Sequence, residues 1–61
     1  MLTKREQEVM KLRQEGLTQI EVAETLQISQ AAVSSFERNA QRKITDAQET
    51  LVVAKTLGVE L

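Results

Sequence analysis

Residues 17–33, which read LTQIEVAETLQISQAAV, decide the fold of this 61-residue chain. Thr18 is followed by Glu21 at the spacing of a capping box, and Ser29 is a further N-cap residue eleven positions after Thr18. Each cap lies inside an apolar pair at the spacing of a hydrophobic staple, Leu17 with Val22 and Ile28 with Val33. Two capped helices this close in sequence are joined by a tight turn. The stretch therefore predicts a helix-turn-helix unit.

The interior of this unit contains one small residue and one unusual turn residue. Ala23 is small enough to let the two helices cross closely, and Ile20, Ala23 and Leu26 mark the predicted buried face of the first helix. Gln27 stands in the turn, where glycine is usual because one residue takes a positive φ. We expect Gln27 to adopt that conformation at a cost of roughly 1 kcal/mol. An ordinary αα-hairpin of an all-helical core is the alternative.

Another helix is predicted before this unit. Thr3 and Glu6 form a capping box, and Gly16 supplies a left-handed residue just after an expected helix end near Glu15. The residues expected to point inward are Val9 and Leu12. The charged residues of this helix are expected to form a solvated face; they are Lys4, Arg5, Glu6, Glu8, Lys11, Arg13 and Glu15.

Composition excludes several classes of function. The chain has no cysteine and no histidine, so it lacks thiol chemistry, disulfides, the commonest metal ligand and the commonest general base. We therefore expect no enzyme activity, no metal and no cofactor. The longest apolar run, residues 51–54, is too short to span a membrane, and we expect a cytoplasmic protein without membrane contact. The absence of proline and the abundance of helix-forming residues predict an all-α fold.

The C-terminal part carries a heptad pattern. Apolar and small residues, with Glu37 as the exception, recur at steps of four and three at positions 33, 37, 40, 44, 47, 51 and 54. We expect the later part of this pattern to form a homodimer interface made of Ile44, Ala47, Leu51 and Ala54. Residues 1–44 are then the helix-turn-helix core and residues 45–61 a dimerisation helix within one domain, with Gly58 as the helix stop. Two alternatives stay open: a helix break at Thr45, and a tail that folds back on the first helix as internal core.

The sequence resembles a known group of regulators. Three stretches carry the resemblance: Leu2-Thr3-x-Arg5, Val9-x-x-Leu12 and Glu15-Gly16-Leu17-Thr18-Gln19-x-Glu21-Val22-Ala23-x-x-Leu26. They are similar to the N-terminal DNA-binding region of archaeal Tfx-type transcriptional regulators. More broadly, they resemble the four-helix helix-turn-helix of LuxR-type activators and of the promoter-reading domain of sigma factors. The resemblance covers about residues 2–44 and implies a compact bundle that binds double-stranded DNA and regulates transcription. Tfx-type proteins carry further sequence after this region, so we expect either a short member or a single domain of a longer protein.

The second helix of the unit is the predicted recognition helix. When such a helix docks in the major groove, the residues after its N-cap face the bases, and the start of the preceding helix faces phosphates. Gln30 can pair with adenine and Ala31 or Ala32 can touch a thymine methyl group, while Arg38, Arg42 and Lys43 suit flanking phosphates. The predicted DNA-binding residues are Thr18, Gln19, Ser29, Gln30, Ala31, Ser34, Ser35, Arg38 and Arg42.

Net charge leaves a rival interpretation open. The chain has 8 basic and 9 acidic residues and an isoelectric point near 5.3, which is not typical of a bulk nucleic-acid binder. Between Ser29 and Thr45, however, three basic residues oppose one acidic residue, Glu37, for a local charge of +2. The rival is a helical protein-interaction module that uses the same fold without binding DNA. Salt dependence separates the two, because phosphate binding weakens steeply with salt.

Overall fold

Three α-helices, α1 (Lys4–Gln14), α2 (Gln19–Leu26) and α3 (Gln30–Thr56), account for the regular structure of residues 1–59. The structure is a computed structural model that describes residues 1–59. Within those residues there is no strand, so the all-α prediction is confirmed. The helix-turn-helix unit consists of α2, the turn at residues 27–29 and the first half of α3, and each helix packs against the other two.

Each helix begins at its predicted cap. Thr3 Oγ1 accepts from the Glu6 N–H at 3.2 Å while Glu6 Oε1 accepts from the Thr3 N–H at 2.8 Å. Thr18 and Glu21 make the same reciprocal pair at 3.2 and 2.9 Å. Ser29 Oγ accepts one backbone N–H of the first turn of α3 at 3.0 Å. These bonds satisfy helix-end donors that otherwise have no partner within the helix, which is why the helices start where they do.

All three helices end in the same backbone motif. A residue with positive φ follows each helix: Gly16 at 98°, Gln27 at 56° and Gly58 at 78°. The next residue donates its N–H to a carbonyl five positions back, with distances of 3.2 Å for Leu17 to Leu12, 3.0 Å for Ile28 to Ala23 and 2.9 Å for Val59 to Ala54. This is the Schellman arrangement, which occupies carbonyls at the helix end. The positive φ predicted for Gln27 is therefore confirmed, and Gln27 holds the position that glycine holds in the other two turns.

The core is small and lies where the three helices meet. Val9, Val22 and Val33, one from each helix, have no exposed surface, and Ala23 is 8% exposed. The half-buried apolar residues packed around them are Leu12, Leu17, Leu26, Ile28 and Phe36. Both predicted staple pairs are members of this cluster. The cluster holds α2 across α3 and thereby positions the recognition helix.

The predicted buried face of α2 is wrong in one position. Ile20 is 56% exposed, and Val22 takes its place in the core. At about 100° per residue, Val22, Ala23 and Leu26 span about 100° of the helix, and Ile20 lies about 110° from the centre of that arc. The face that packs is Val22, Ala23 and Leu26.

The charged residues of α1 do not form one solvated face. Glu6 is only 3% exposed, and its Oε1 accepts from Lys43 Nζ at 2.8 Å. Near the other end of α1, Arg13 Nε lies 2.7 Å from Glu37 Oε1. The second contact is an ion pair without an aligned hydrogen bond, because Glu37 Oε1 has no hydrogen-bond partner in residues 1–59. These two pairs attach both ends of α1 to α3.

The third helix runs without a break through Thr45 to Thr56. Its 27 residues correspond to about 40 Å of helix and account for most of the 45 × 19 × 16 Å extent of the molecule. The implied four-helix arrangement is therefore absent from residues 1–59, because the recognition helix and the C-terminal helix are one element. Residues 45–53 are all exposed, so the tail does not fold back on α1. Within residues 1–59, no helix combines the length and the apolar character needed to cross a membrane.

Candidate nucleic-acid interface

One face of α3 brings together most of the residues predicted to bind DNA. At about 100° per residue, four of these residues lie opposite the buried Val33 and Ala40; they are Ala31, Ser35, Arg38 and Arg42. Ser34 lies at the edge of this face, about 100–120° from the two buried residues. Gln30 lies at the start of the helix beside this face. Gln30, Ala31, Arg38 and Arg42 are exposed, whereas Ser34 and Ser35 are half-buried. We call this surface the outward face of α3.

The start of α2 is joined to the outward face by a side-chain hydrogen bond. Ser34 Oγ donates to Gln19 Oε1 at 3.0 Å. This contact links residues fifteen positions apart and carries no local signal in the sequence, so the sequence predicted both residues near DNA without connecting them. Thr18 and Ser29 are exposed, but their hydroxyl oxygens already serve as helix caps.

The N-terminus of α2 is partly occupied by its own cap. The Thr18 N–H donates to Glu21 Oε1, and the Glu21 N–H donates to Thr18 Oγ1. Hydrogen bonds first from the backbone and then from the side chain of Thr18 hold the pKa of Glu21 below its ordinary value. Glu21 is therefore a carboxylate at neutral pH and places a negative charge at this helix end. The donors that remain for a phosphate here are the backbone N–H groups of Gln19 and Ile20, which make no hydrogen bond within residues 1–59, and the Gln19 side-chain amide.

Two charged side chains of the recognition helix form ion pairs with α1. Glu37, the single acidic residue between Ser29 and Thr45, is paired with Arg13, and Lys43 is paired with Glu6. Lys43 is thus engaged inside the protein, which differs from the expectation that it suits a flanking phosphate. Arg38 and Arg42 stay exposed. The local charge is still +2, and two arginines of the outward face now carry it.

A shallow open groove lies where the three helices meet beside the outward face. It is lined by Met10, Gln19, Ser34, Glu37, Arg38 and Gln41. Two amides, a guanidinium and the Glu37 carboxylate, which is paired with Arg13, thus share one concave surface. Within residues 1–59, no three histidine, cysteine, aspartate or glutamate residues are grouped so as to hold a metal ion.

The tail continues the stripe that forms the core. Val33 and Ala40 are fully buried under α1 and α2, and Ala47 and Leu51 follow them on the same side of α3. Ala47 is exposed and Leu51 is 50% exposed. The other predicted interface residues, Ile44 and Ala54, are half-buried. One apolar stripe is therefore covered in its first half and uncovered in its second.

Further apolar side chains surround this uncovered half. They are exposed by between 51% and 74% and comprise Val52, Val53, Leu57 and Val59. A helix that is apolar on several sides and exposed on all of them is typical of a surface that packs on a partner.

Comparison with known proteins agrees with this geometry. Residues 1–55 match the family model of bacterial regulatory proteins of the luxR family. The chain is 40% identical over 57 residues to a protein of Haloarcula marismortui and 46% identical over 60 residues to a protein of Thermococcus kodakarensis. It is also 40% identical over 52 residues to a protein of Methanocaldococcus jannaschii. All three carry the name "Putative transcriptional regulatory protein".

These matches cover most of this chain but a minor part of each relative. They include 93%, 98% and 85% of the chain and 36%, 40% and 38% of the respective relative. The chain thus spans less than half the length of the curated relatives it matches. No solved structure gives a significant match. The resemblance to archaeal regulators with a LuxR-type helix-turn-helix is confirmed by the family match and by these three archaeal relatives.

Proposed function

Because the chain belongs to the luxR family of bacterial regulatory proteins over residues 1–55, we propose that it binds double-stranded DNA sequence-specifically and acts as a transcriptional regulator. The observation that carries this proposal is the outward face of α3. It is exposed at Ala31, Arg38 and Arg42, it points away from the core, and its only charged side chains are those two arginines. A helix of this kind fits the major groove, whose edges carry the base-specific pattern of donors and acceptors.

The residues of the outward face and its margin divide by chemistry into those that can contact bases and those that can contact phosphates. Gln30 is exposed in the first turn of α3 and can bond both the N6 and N7 positions of an adenine. Ala31 follows it and can contact a thymine methyl group. Arg38 and Arg42 lie further along α3 and suit phosphates on either side of the groove. Ser29, Ser35 and Thr18 add hydroxyl groups at the margin of the same surface.

We further propose that two copies pair through the tail. The stripe at Ile44, Ala47, Leu51 and Ala54 continues the core stripe beyond the last residue that α1 and α2 cover. Residues 1–44 then form the DNA-binding core and residues 45–61 the dimerisation segment, whose described helical part is the end of α3 up to Thr56. We expect a second copy of this chain to cover the stripe, because DNA binding by one copy would be weak. One helix-turn-helix reads few base pairs, and this outward face carries only two free charges.

The unbroken helix gives such a dimer a defined geometry. Leu51 and Gln30 are 21 residues apart on α3, or roughly 30 Å along its axis. Two copies that cross near Leu51 therefore hold their recognition helices at a separation set by the crossing angle. Successive major-groove faces of B-DNA are about 34 Å apart, which lies within the range of separations that two such crossed helices can reach.

The exposed apolar tail also favours one rival function, that of a helical protein-interaction module. Five of the seven exposed large apolar side chains in the described residues lie in the tail, and the isoelectric point near 5.3 does not require nucleic acid. Such a module would bind its partner with little dependence on salt, because apolar burial releases no counterions.

Selection of bound fragments from a random duplex pool tests the proposal. We expect enrichment of an inverted repeat with half-sites about one helical turn apart. Enrichment of a single half-site would support DNA binding but contradict the paired tails. No enrichment at low salt would refute sequence-specific binding and favour the protein-interaction module.

A further inference from the structure

We infer that Ser34 contributes to DNA binding as a positioning residue, by orienting the amide of Gln19 toward a DNA phosphate, and not by its own contact with a base. This inference rests on the proposed function. It starts from the bond between Ser34 Oγ and Gln19 Oε1, which is 3.0 Å long and part-buried. Within residues 1–59 it is the one side-chain hydrogen bond that joins α2 to α3.

The chemistry of the bond assigns different roles to the two residues. A serine hydroxyl has a single proton, and here that proton is given to the Gln19 oxygen. The donor capacity of Ser34 is thus used inside the protein. The Gln19 amide, in contrast, keeps both of its N–H donors, and these make no hydrogen bond within residues 1–59. An amide with its oxygen satisfied and its N–H groups free is suited to donate to an anionic oxygen.

Positioning matters because glutamine is flexible. A free glutamine side chain loses rotamer entropy when it is held in one geometry by a ligand. The bond from Ser34 removes part of that cost before DNA arrives, since the amide plane is already oriented. Ser34 is half-buried between the two helices, where it can serve as this support.

The surroundings indicate that the acceptor is a phosphate. Gln19, Ser34 and Arg38 line the same shallow groove, so the amide donors and a guanidinium face one concave surface. Ser34 and Arg38 are four residues apart and are therefore neighbours on the outward face. The backbone N–H groups of Gln19 and Ile20, which make no hydrogen bond within residues 1–59, lie at the same helix start and favour an anionic acceptor beside the Gln19 side chain. A phosphate that accepts hydrogen bonds from both the Gln19 amide and the Arg38 guanidinium would fix how α2 crosses the DNA backbone.

A double-mutant cycle tests the inference on the duplex that the parent binds best. We expect Gln19→Ala to weaken binding by roughly tenfold, because its hydrogen bond to a charged group is removed. Ser34→Ala should weaken it by a few-fold, and the double variant should bind no more weakly than Gln19→Ala alone. Coupling of this kind is expected only if Ser34 acts through Gln19.

Two further readouts separate positioning from a general structural role. Both variants should weaken binding on all duplexes alike and leave the slope of log K against log salt unchanged, since a neutral amide releases no counterion. Arg38→Ala is the matched contrast and should reduce that slope by about 0.9. Ser34→Thr, which keeps a hydroxyl group, should restore parent affinity. Gln19→Glu, which keeps the acceptor for Ser34 but repels phosphate, should bind more weakly than Gln19→Ala.

Each outcome has a defined meaning once thermal melts show that the variants fold like the parent. Additive losses from the two alanine variants, or a change of preference at a single base pair in Ser34→Ala, would show that Ser34 contacts DNA itself and would overturn the inference. An unchanged affinity of Ser34→Ala would overturn it as well. Failure of the parent to bind any duplex would instead refute the proposed function, so the two failures are distinguishable.

Discussion

Lys43 Nζ lies 2.8 Å from Oε1 of Glu6, an oxygen that also accepts the backbone N–H of Thr3 at 2.8 Å. A single carboxylate atom thus completes the N-terminal cap of α1 and anchors α3 across 37 residues of sequence. Because the Glu6 side chain is almost fully buried, the negative charge depends on these donors in place of water.

Stability should decrease in acid through Glu6. Donation from Lys43, followed by the backbone N–H of Thr3, holds the pKa of Glu6 below its ordinary value of 4.5. A lowered folded-state pKa stabilises the fold above the ordinary value, and this contribution disappears as pH falls through the lowered one. We expect Tm to decrease as the pH falls below about 4.5, and we expect this decrease to be smaller in Glu6→Gln.

Thermal melts over a series of pH values measure this effect. Some acid sensitivity should persist in Glu6→Gln, because the pKa of Glu21 is also lowered by its cap with Thr18. Glu49→Gln, on the exposed tail, controls for the removal of one negative charge. If Tm decreases with falling pH as steeply in Glu6→Gln as in the parent, the acid sensitivity does not come from Glu6.

Gln27→Gly should stabilise the protein. Gln27 has φ 56° and ψ 45°, a conformation that costs a residue with a Cβ roughly 1–2 kcal/mol and costs glycine almost nothing. Part of the gain is offset because glycine adds freedom to the unfolded chain, so we expect up to about 1 kcal/mol. Chemical denaturation measures it.

The reciprocal change provides the control for this turn. Gly16 has φ 98°, and an added Cβ there would meet no atom within 4 Å. Gly16→Ala should therefore destabilise through backbone strain alone, by about 1–2 kcal/mol. If Gln27→Gly lowers stability, the Gln27 side chain must make a favourable interaction that outweighs its strain.

Ala23→Leu should be strongly destabilising. Ala23 is 8% exposed, packs in the cluster with Val22 and Val33, and gives its carbonyl to the turn at Ile28. Extra methylene groups at this crossing would push α2 away from α3, at a cost of about 1–3 kcal/mol or more. Thr25→Leu, at an exposed position of the same helix, is the matched control. Equal melting temperatures for Ala23→Leu and the parent would contradict the close crossing.

DNA readout should divide between Arg38 and Gln30. Arg38→Ala and Arg42→Ala are expected to weaken binding to all duplexes and to flatten the salt slope by about 1 for each arginine that no longer neutralises a phosphate. Gln30→Ala should cost roughly 1–3 kcal/mol on the best site and relax preference at one base pair. Quantitative binding to a set of single-substitution duplexes at several salt concentrations distinguishes these effects. A uniform decrease in affinity for all three variants would mean that Gln30 reads no base.

Leu51→Glu should separate the proposed dimer. Leu51 lies at the middle of the uncovered stripe, and its burial in an interface contributes roughly 1.5–3 kcal/mol per copy. Two introduced carboxylates would face each other there, so the dimer should dissociate at micromolar concentrations. Thr45→Glu adds the same charge at an exposed polar position about 120° around the helix, away from the stripe, and should leave the dimer intact. Sedimentation equilibrium compares them, and a parent that is monomeric at hundreds of micromolar would refute the pairing.

The sequence by itself determined where the helices begin and end. Thr3, Thr18 and Ser29 cap helices in the structure as their spacing predicted, and Gly16 and Gln27 take the expected positive φ. These features depend on hydrogen bonds between residues three to five positions apart, so a short stretch contains all the atoms that decide them. The outward face of α3 follows from the same local periodicity.

Only the tertiary structure decided which polar groups leave the surface and which apolar ones stay on it. Glu6 is buried against Lys43, Arg13 meets Glu37, and Ser34 reaches Gln19, each across a separation that no local pattern encodes. Ile20 is exposed because the packing of α2 across α3 buries Val22 in its place. The tail stripe is uncovered because α1 and α2 are too short to reach beyond the middle of α3. Such outcomes depend on how three helices share one small core, which is a property of their packing and not of any one segment.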